Sequence, residues 1–265
     1  MREVLRQLGY HGESKRVAVT RGGKDVFETE GVLYLEDTSV GDWPGMSYWG
    51  GQTIEEVNAR YKDDNWRRHN FLLGHVESGS RGKILDFGCG TGGFLLGLPH
   101  FLHLCGVEPH PVAESLKPLG IDVRHNITSF VGKFPTVTMF HVLEHLSDPI
   151  SVLNTVRMQM WANGFLIVEV PHARDRLLKL TRYNPKLLHN EHMILHTERS
   201  LCALLRTAGF SVERIEGVQR YGLSNHWAWL TDGDELPPMP DDMYRDRLIQ
   251  NGESDTLIAV ARAGF

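Results

Sequence analysis

An apolar run that stops at an acid and four closely spaced glycines constrains this chain more than any other feature. The segment is Ile84-Leu-Asp-Phe-Gly-Cys-Gly-Thr-Gly-Gly-Phe94, with glycines at 88, 90, 92 and 93. It predicts a short buried strand over Lys83–Asp86, a glycine loop, and a helix opening over Phe94–Leu98. Glycines let ligand atoms approach the main chain, and the N–H groups of a helix start attract a carboxylate or phosphate.

The same rhythm continues downstream. Strands are expected at His103–Val107, Ile121–Arg124 and Val137–Phe140, with a helix over Pro111–Leu119. Asp148-Pro149 places a cap and a first-turn proline at the start of a helix running to about Met160. Ala162-Asn-Gly164 breaks that helix before a fifth strand, Phe165–Val170. A helix over Glu198–Ala208 and strands at Ser211–Ile215 and Thr256–Ala261 complete the pattern. Strands alternating with helices imply a largely parallel sheet covered on both faces.

Gly88-x-Gly90-x-x-Gly93 also satisfies the dinucleotide fingerprint, so an NAD-dependent oxidoreductase is a reading from another enzyme class. Glu108, 22 residues after Asp86, suits ribose hydroxyls in either case. Asp86 separates the two: before the glycines its carboxylate would crowd a pyrophosphate but can help hold an ammonium group.

Leu85-Asp-Phe-Gly-Cys-Gly-Thr-Gly92 resembles motif I of the class I S-adenosylmethionine (SAM)-dependent methyltransferases. Phe140-His-Val-Leu-Glu-His-Leu-Ser-Asp-Pro149 resembles the VLEHL-x-DP segment of small-molecule and polysaccharide-cluster members of that superfamily. The likeness covers about Lys83–Gly209, and the last strands by order only. It implies an α/β Rossmann-like fold with a seven-stranded mixed sheet, order 3-2-1-4-5-7-6, strand seven antiparallel. It also implies SAM as cofactor and S-adenosylhomocysteine as product. The cofactor residues it implies are Asp86, Gly88, Cys89, Gly90 and Glu108, an adenine contact near Asn126 or Ile127, and His141. A SAM-binding subunit without catalysis is a third class.

Methyl transfer to a hydroxyl needs an aligned nucleophile and a proton acceptor, and neutral imidazole suits the second task near neutral pH. The chain has 14 histidines, concentrated between His141 and His226. His141 and His145 follow strand four, at the carboxyl ends of strands where open sheets bind ligands. His192 and His196, four apart, would share one face if their segment is helical. These four are the candidate catalytic residues; His172, His189 and His226 lie in the same region of the sequence. His141, Glu144 and His145 loosely resemble the divalent-metal site of small-RNA 2′-O-methyltransferases, which carry Glu where this chain has His141. No metal is assigned on that likeness.

Residues 1–50 match nothing recognisable and read as an appendage, with short strands at Lys15–Thr20 and Gly31–Glu36 and aromatic residues Tyr34, Trp43, Tyr48 and Trp49. Residues 51–265 form the methyltransferase domain, with a helical stretch from Thr53 to about His75 and lid insertions near 172–199 and 219–252. Trp227 and Trp229 are candidates for the pocket wall. Cys89, Cys105 and Cys202 show no paired spacing, and no apolar signal core or membrane span is evident, which points to the cytoplasm. A formal charge of −5 argues against a nucleic-acid polymer as partner. The expected acceptor is a small polar molecule: a sugar, nucleotide-linked or phosphoramidate-type precursor of a cell-surface polysaccharide, methylated on oxygen. A quinone-type or other aromatic hydroxyl is the alternative. The oligomeric state is left open.

Overall fold

A computed structural model describes residues 1–36, 52–76, 82–98, 101–231, 233 and 241–264. Trp43, Tyr48, Trp49 and the proline-rich stretch 236–240 lie outside the described residues. In chain order the elements begin with α1 (Arg2–Gln7), β1 (Lys15–Val19), β2 (Asp25–Thr29), β3 (Val32–Leu35), α2 (Ile54–Arg60) and α3 (Lys62–His75). There follow β4 (Lys83–Phe87), α4 (Gly93–Leu96), β5 (His103–Val107), α5 (Ala113–Leu116), β6 (Asp122–Arg124), β7 (Phe134–Phe140), α6 (Pro149–Met158) and β8 (Met160–Pro171). The chain ends with α7 (Arg176–Leu180), β9 (Ile194–Leu195), α8 (Glu198–Thr207), β10 (Phe210–Val218), α9 (Leu223–Leu230), α10 (Asp242–Gln250) and β11 (Thr256–Ala263).

Seven strands form one sheet in the order β6-β5-β4-β7-β8-β11-β10. Numbered within that sheet, this is the expected 3-2-1-4-5-7-6 arrangement. The first five strands pair in parallel, and β11 runs antiparallel to both β8 and β10. Alternate side chains divide the core into two layers. Leu85, Val137, Met139, Leu166 and Val168 pack with Leu153 and Val156 of α6 and Leu201, Leu204 and Leu205 of α8. On the opposite face Ile84, Phe165, Ile167 and Val260 pack with Leu72 of α3, Leu95 of α4 and Leu116 of α5. This burial supplies the main driving force for the fold.

Local signals fix several boundaries. Thr53 and Glu56 form a reciprocal capping box at the start of α2. Asp148 caps α6 by accepting from the Ser151 N–H at 3.1 Å. Other boundaries differ from the sequence reading. The stretch from Thr53 to His75 is two helices divided at Tyr61 (φ −95°, ψ 13°). β8 starts at Met160 instead of Phe165: Asn163 adopts φ 59° and the strand continues through an irregular register with β7.

β1, β2, β3 and β9 make a second, antiparallel sheet, so a piece of the 172–199 insertion pairs with the N-terminal region: Leu33 faces Leu195 and Tyr34 faces Ile194. With that pairing the segment around His192 and His196 is not helical, so the two histidines do not share a helix face. Leu5, Tyr10, Val32 and Tyr34 join the α6–α8 layer of the main core. Among the described residues no helix is long and apolar enough to cross a membrane.

Candidate active site

The glycine loop lies across the carboxyl end of β5. Gly88, Gly90 and Gly92 take φ values of 80°, 52° and 73°. A Cβ on Gly88 would meet Val142 Cγ2 at 2.5 Å, so both backbone and space demand glycine there. The N–H groups of Gly88 and Cys89 donate to the Val107 carbonyl at 2.8 and 3.1 Å. Glu108 accepts from the Gly90 N–H at 2.9 Å with Oε2 and from the His110 N–H at 2.9 Å with Oε1. Asp86, 3% exposed at the end of β4, accepts from Thr138 Oγ1 at 2.7 Å. Burial raises its pKa to about 6, against the opposing Thr138 hydrogen bond and Arg68 charge.

These groups share the wall of a cavity of about 1100 Å³. Asp86, Gly88, Cys89, Gly90, Glu108 and His141 all line it. Asn126 does not: its Oδ1 accepts from the Thr128 N–H at 3.0 Å and caps a single turn. Its neighbour His125 lines the cavity instead, donating from Nδ1 to the Glu108 carbonyl at 3.1 Å.

The candidate histidines separate by their partners. His141 adopts φ 55°, and its Nδ1 donates to Glu144 Oε1 at 3.0 Å. Its Nε2 lies 3.1 Å from Glu169 Oε1 and 2.9 Å from Arg220 Nη1. Burial and the Arg220 charge favour the neutral ring, but Glu144 and Glu169 outweigh them and raise its pKa. With both ring nitrogens engaged, His141 braces the site and is poorly placed to accept a proton. His145 and His192 face the cavity with ring centroids 4.9 Å apart, and His189 lies 4.7 Å from His192. Burial holds His192 well below the usual imidazole pKa, and the charges of His145 and His189 add to this against the pull of Glu144. His196 is fully buried, with Nδ1 at 3.1 Å from Ser200 Oγ, and is not among the residues lining the cavity. The strand β9 carries it into the core, where it forms a bridge with His172.

Sequence reading missed a buried ionic network under this wall. Arg68 of α3 donates to Glu169 Oε1 through Nε at 3.0 Å and Nη2 at 2.6 Å, and Arg67 pairs with Glu169 Oε2 at 2.8 Å. Burial alone would raise the Glu169 carboxyl, but Arg68, His141 and Arg67 hold it well below the usual range. Arg220, beyond β10, reaches back to Asp64 of α3. The one visible hint was a glutamate inside the apolar run Phe165–Val170. At the far end of the cavity Tyr221 and Trp229 pack edge-to-face at 4.7 Å, and His226 Nδ1 meets the Tyr244 hydroxyl at 2.6 Å. Trp227 is exposed and does not line the cavity.

The family model described as "Methyltransferase domain" matches residues 56–215. A tRNA U34 carboxymethyltransferase of Colwellia psychrerythraea is 23% identical over 242 residues, covering 77% of this chain and 74% of that protein. A ubiquinone biosynthesis O-methyltransferase of Azotobacter vinelandii is 26% identical over 192 residues, covering 63% of this chain and 80% of that protein. Among solved structures, a SAM-dependent methyltransferase from Archaeoglobus fulgidus superposes with a TM-score of 0.53 at 18% identity, covering 82% of this chain and 97% of that one. The oxidoreductase alternative is thereby set aside. With its family model spanning more than half its length, this chain belongs to the methyltransferase-domain family and is a SAM-dependent methyltransferase.

Proposed function

We propose that the enzyme transfers the SAM methyl group to a hydroxyl oxygen of a small polar acceptor, a sugar or nucleotide-linked precursor of the kind used for cell-surface polysaccharides. The cofactor's ribose would rest on Glu108 and its ammonium group near Asp86. The observation that carries the reading is the make-up of the cavity wall. Beside the glycine loop it takes in His145 and His192 and the exposed Arg21, Lys186 and Trp229, and its volume of about 1100 Å³ leaves room for an acceptor beside a cofactor. An acceptor there has its hydroxyl activated at the Glu144–His145–His192 cluster. The oxygen attacks the methyl carbon as the C–S bond breaks, the electrons of that bond stay on sulfur, and the hydroxyl proton passes to solvent in the open cavity. The basic groups on that wall favour an anionic or heavily hydroxylated acceptor.

A second reading, methylation of an aromatic hydroxyl, draws on Leu177, Leu178, Tyr221 and Trp229 on the same wall and on the Azotobacter relative. Release of S-adenosylhomocysteine, measured against a panel of nucleotide sugars, catechols and quinols, separates the two. Turnover with nucleotide sugars and none with catechols supports the first; the reverse replaces it.

A further inference from the structure

We propose that Glu144, His145 and His192 bind one divalent transition-metal ion of the borderline class, Zn²⁺, Mn²⁺ or Co²⁺, on the acceptor side of the cavity. Each side chain offers one ligand atom, and the three atoms lie within 4.8 Å of one another. Ligand atoms of a tetrahedral site built on metal–nitrogen bonds of about 2 Å lie roughly 3.3 Å apart, so an ion would draw these three groups closer together.

The second observation is the carboxylate. Glu144 is 0% exposed, and its Oε1 takes the proton of His141 Nδ1. Its Oε2 is buried with no hydrogen-bond partner among the described residues. A buried anionic oxygen without a donor is costly, and a cation held between it and two imidazoles removes that cost.

The orienting groups that metal ligands require are also present. His145 Nδ1 lies 3.0 Å from the Glu191 carbonyl, which can only accept, so Nδ1 donates there and the main chain orients the ring. His141 fixes Glu144 and is itself held by Glu169 and Arg220. Main-chain bonds join the supporting segments, with the Met193 N–H donating to the Glu144 carbonyl at 2.6 Å and the Leu35 N–H to the Met193 carbonyl at 2.9 Å. Two imidazole nitrogens and one carboxylate oxygen suit Zn²⁺, Mn²⁺ or Co²⁺ better than Mg²⁺ or Ca²⁺. His145 and His192 line the cavity, so an ion held by them would be within reach of an acceptor oxygen. The ion's role there, drawing electron density from a coordinated hydroxyl, rests on the function proposed above; its binding rests on the side chains alone.

The test uses the untagged full chain, stripped with chelator and dialysed separately against Zn²⁺, Mn²⁺, Co²⁺ and Mg²⁺. Bound metal per chain is read by elemental mass spectrometry, and S-adenosylhomocysteine affinity is measured on the same samples. One equivalent of a borderline ion is expected, with Mg²⁺ at least about tenfold weaker. Glu144→Gln and His192→Ala should each weaken metal binding by about 10–100-fold while homocysteine-product affinity stays unchanged. If Glu144→Gln loses the fold, seen as lost S-adenosylhomocysteine binding, the half-buried His192→Ala carries the test. Wild-type chain that binds the product but retains none of the ions overturns the proposal, as do variants that bind metal as tightly as wild type. No acceptor enters this assay, so a failed acceptor panel and a failed metal site remain distinguishable.

Discussion

The Gly90 N–H donates to Glu108 Oε2 at 2.9 Å, tying the glycine loop of β4 to the acid that ends β5. One carboxylate therefore does two things: it shapes the loop and presents its remaining lone pairs to the cavity. Glu108→Ala should weaken S-adenosylhomocysteine binding by about 2 kcal/mol, near 30-fold, from the loss of charge-assisted hydrogen bonds. Calorimetry checks this, and an unchanged Kd refutes the role given to Glu108.

Asp86 predicts a pH dependence. Burial raises its folded-state pKa from 3.8 to about 6, so the folded chain holds a proton there that the unfolded chain gives up. The stability contribution of this group is fully present below pH 3.8 and is lost as pH rises through about 6. A bound ammonium group favours the ionised form, so affinity for S-adenosylhomocysteine should rise with pH up to about 6 and then level off. Asp86→Asn should abolish the slope. A wild-type affinity flat from about pH 7.5 to about pH 5 would contradict the pairing.

The buried network predicts a stability contrast. Arg68→Ala leaves Glu169 with too few partners in the core and should cost about 3–5 kcal/mol in urea denaturation. Arg16→Ala breaks an ion pair whose side chains are about half exposed, Arg16 Nε to Asp25 Oδ1 at 2.6 Å, and should change stability by less than about 1 kcal/mol. Equal effects would mean that the Arg68–Glu169 pair is not the internal brace described above.

Gly88→Ala introduces both an unfavourable φ of 80° and a contact with Val142 Cγ2 at 2.5 Å. Cofactor affinity should fall, and Val142→Ala in the same chain should restore part of it, because it removes the contact and leaves the backbone strain. Full restoration would show that sterics alone require the glycine.

Residues close in sequence made much of this architecture legible. The apolar run into Gly88, the acid at Glu108, the Thr53–Glu56 box and the Asp148-Pro149 start are local patterns, and each lies where its physics places it. What escaped depends on partners far along the chain. The spacing of His192 and His196 fits a helix, but pairing of Ile194 with Tyr34 makes that segment a strand and sends His196 into the core. β2 went unseen because Asp25-Val-Phe-Glu-Thr29 places its apolar residues side by side, without the alternation of a half-buried strand, and pairs only between β1 and β3. Arg68 and Glu169 are 101 residues apart, so nothing near either one announces the pair. His141 carried the signal of a base, yet contacts from Glu144, Glu169 and Arg220 make it a brace.

The most direct test of the account is a crystal structure of the chain grown with S-adenosylhomocysteine. It should show the ribose hydroxyls about 3 Å from Glu108, the amino group beside Asp86, and the sulfur turned toward His145 and His192. Product bound away from the Gly88–Gly93 loop, or with its sulfur facing away from those two histidines, would contradict it.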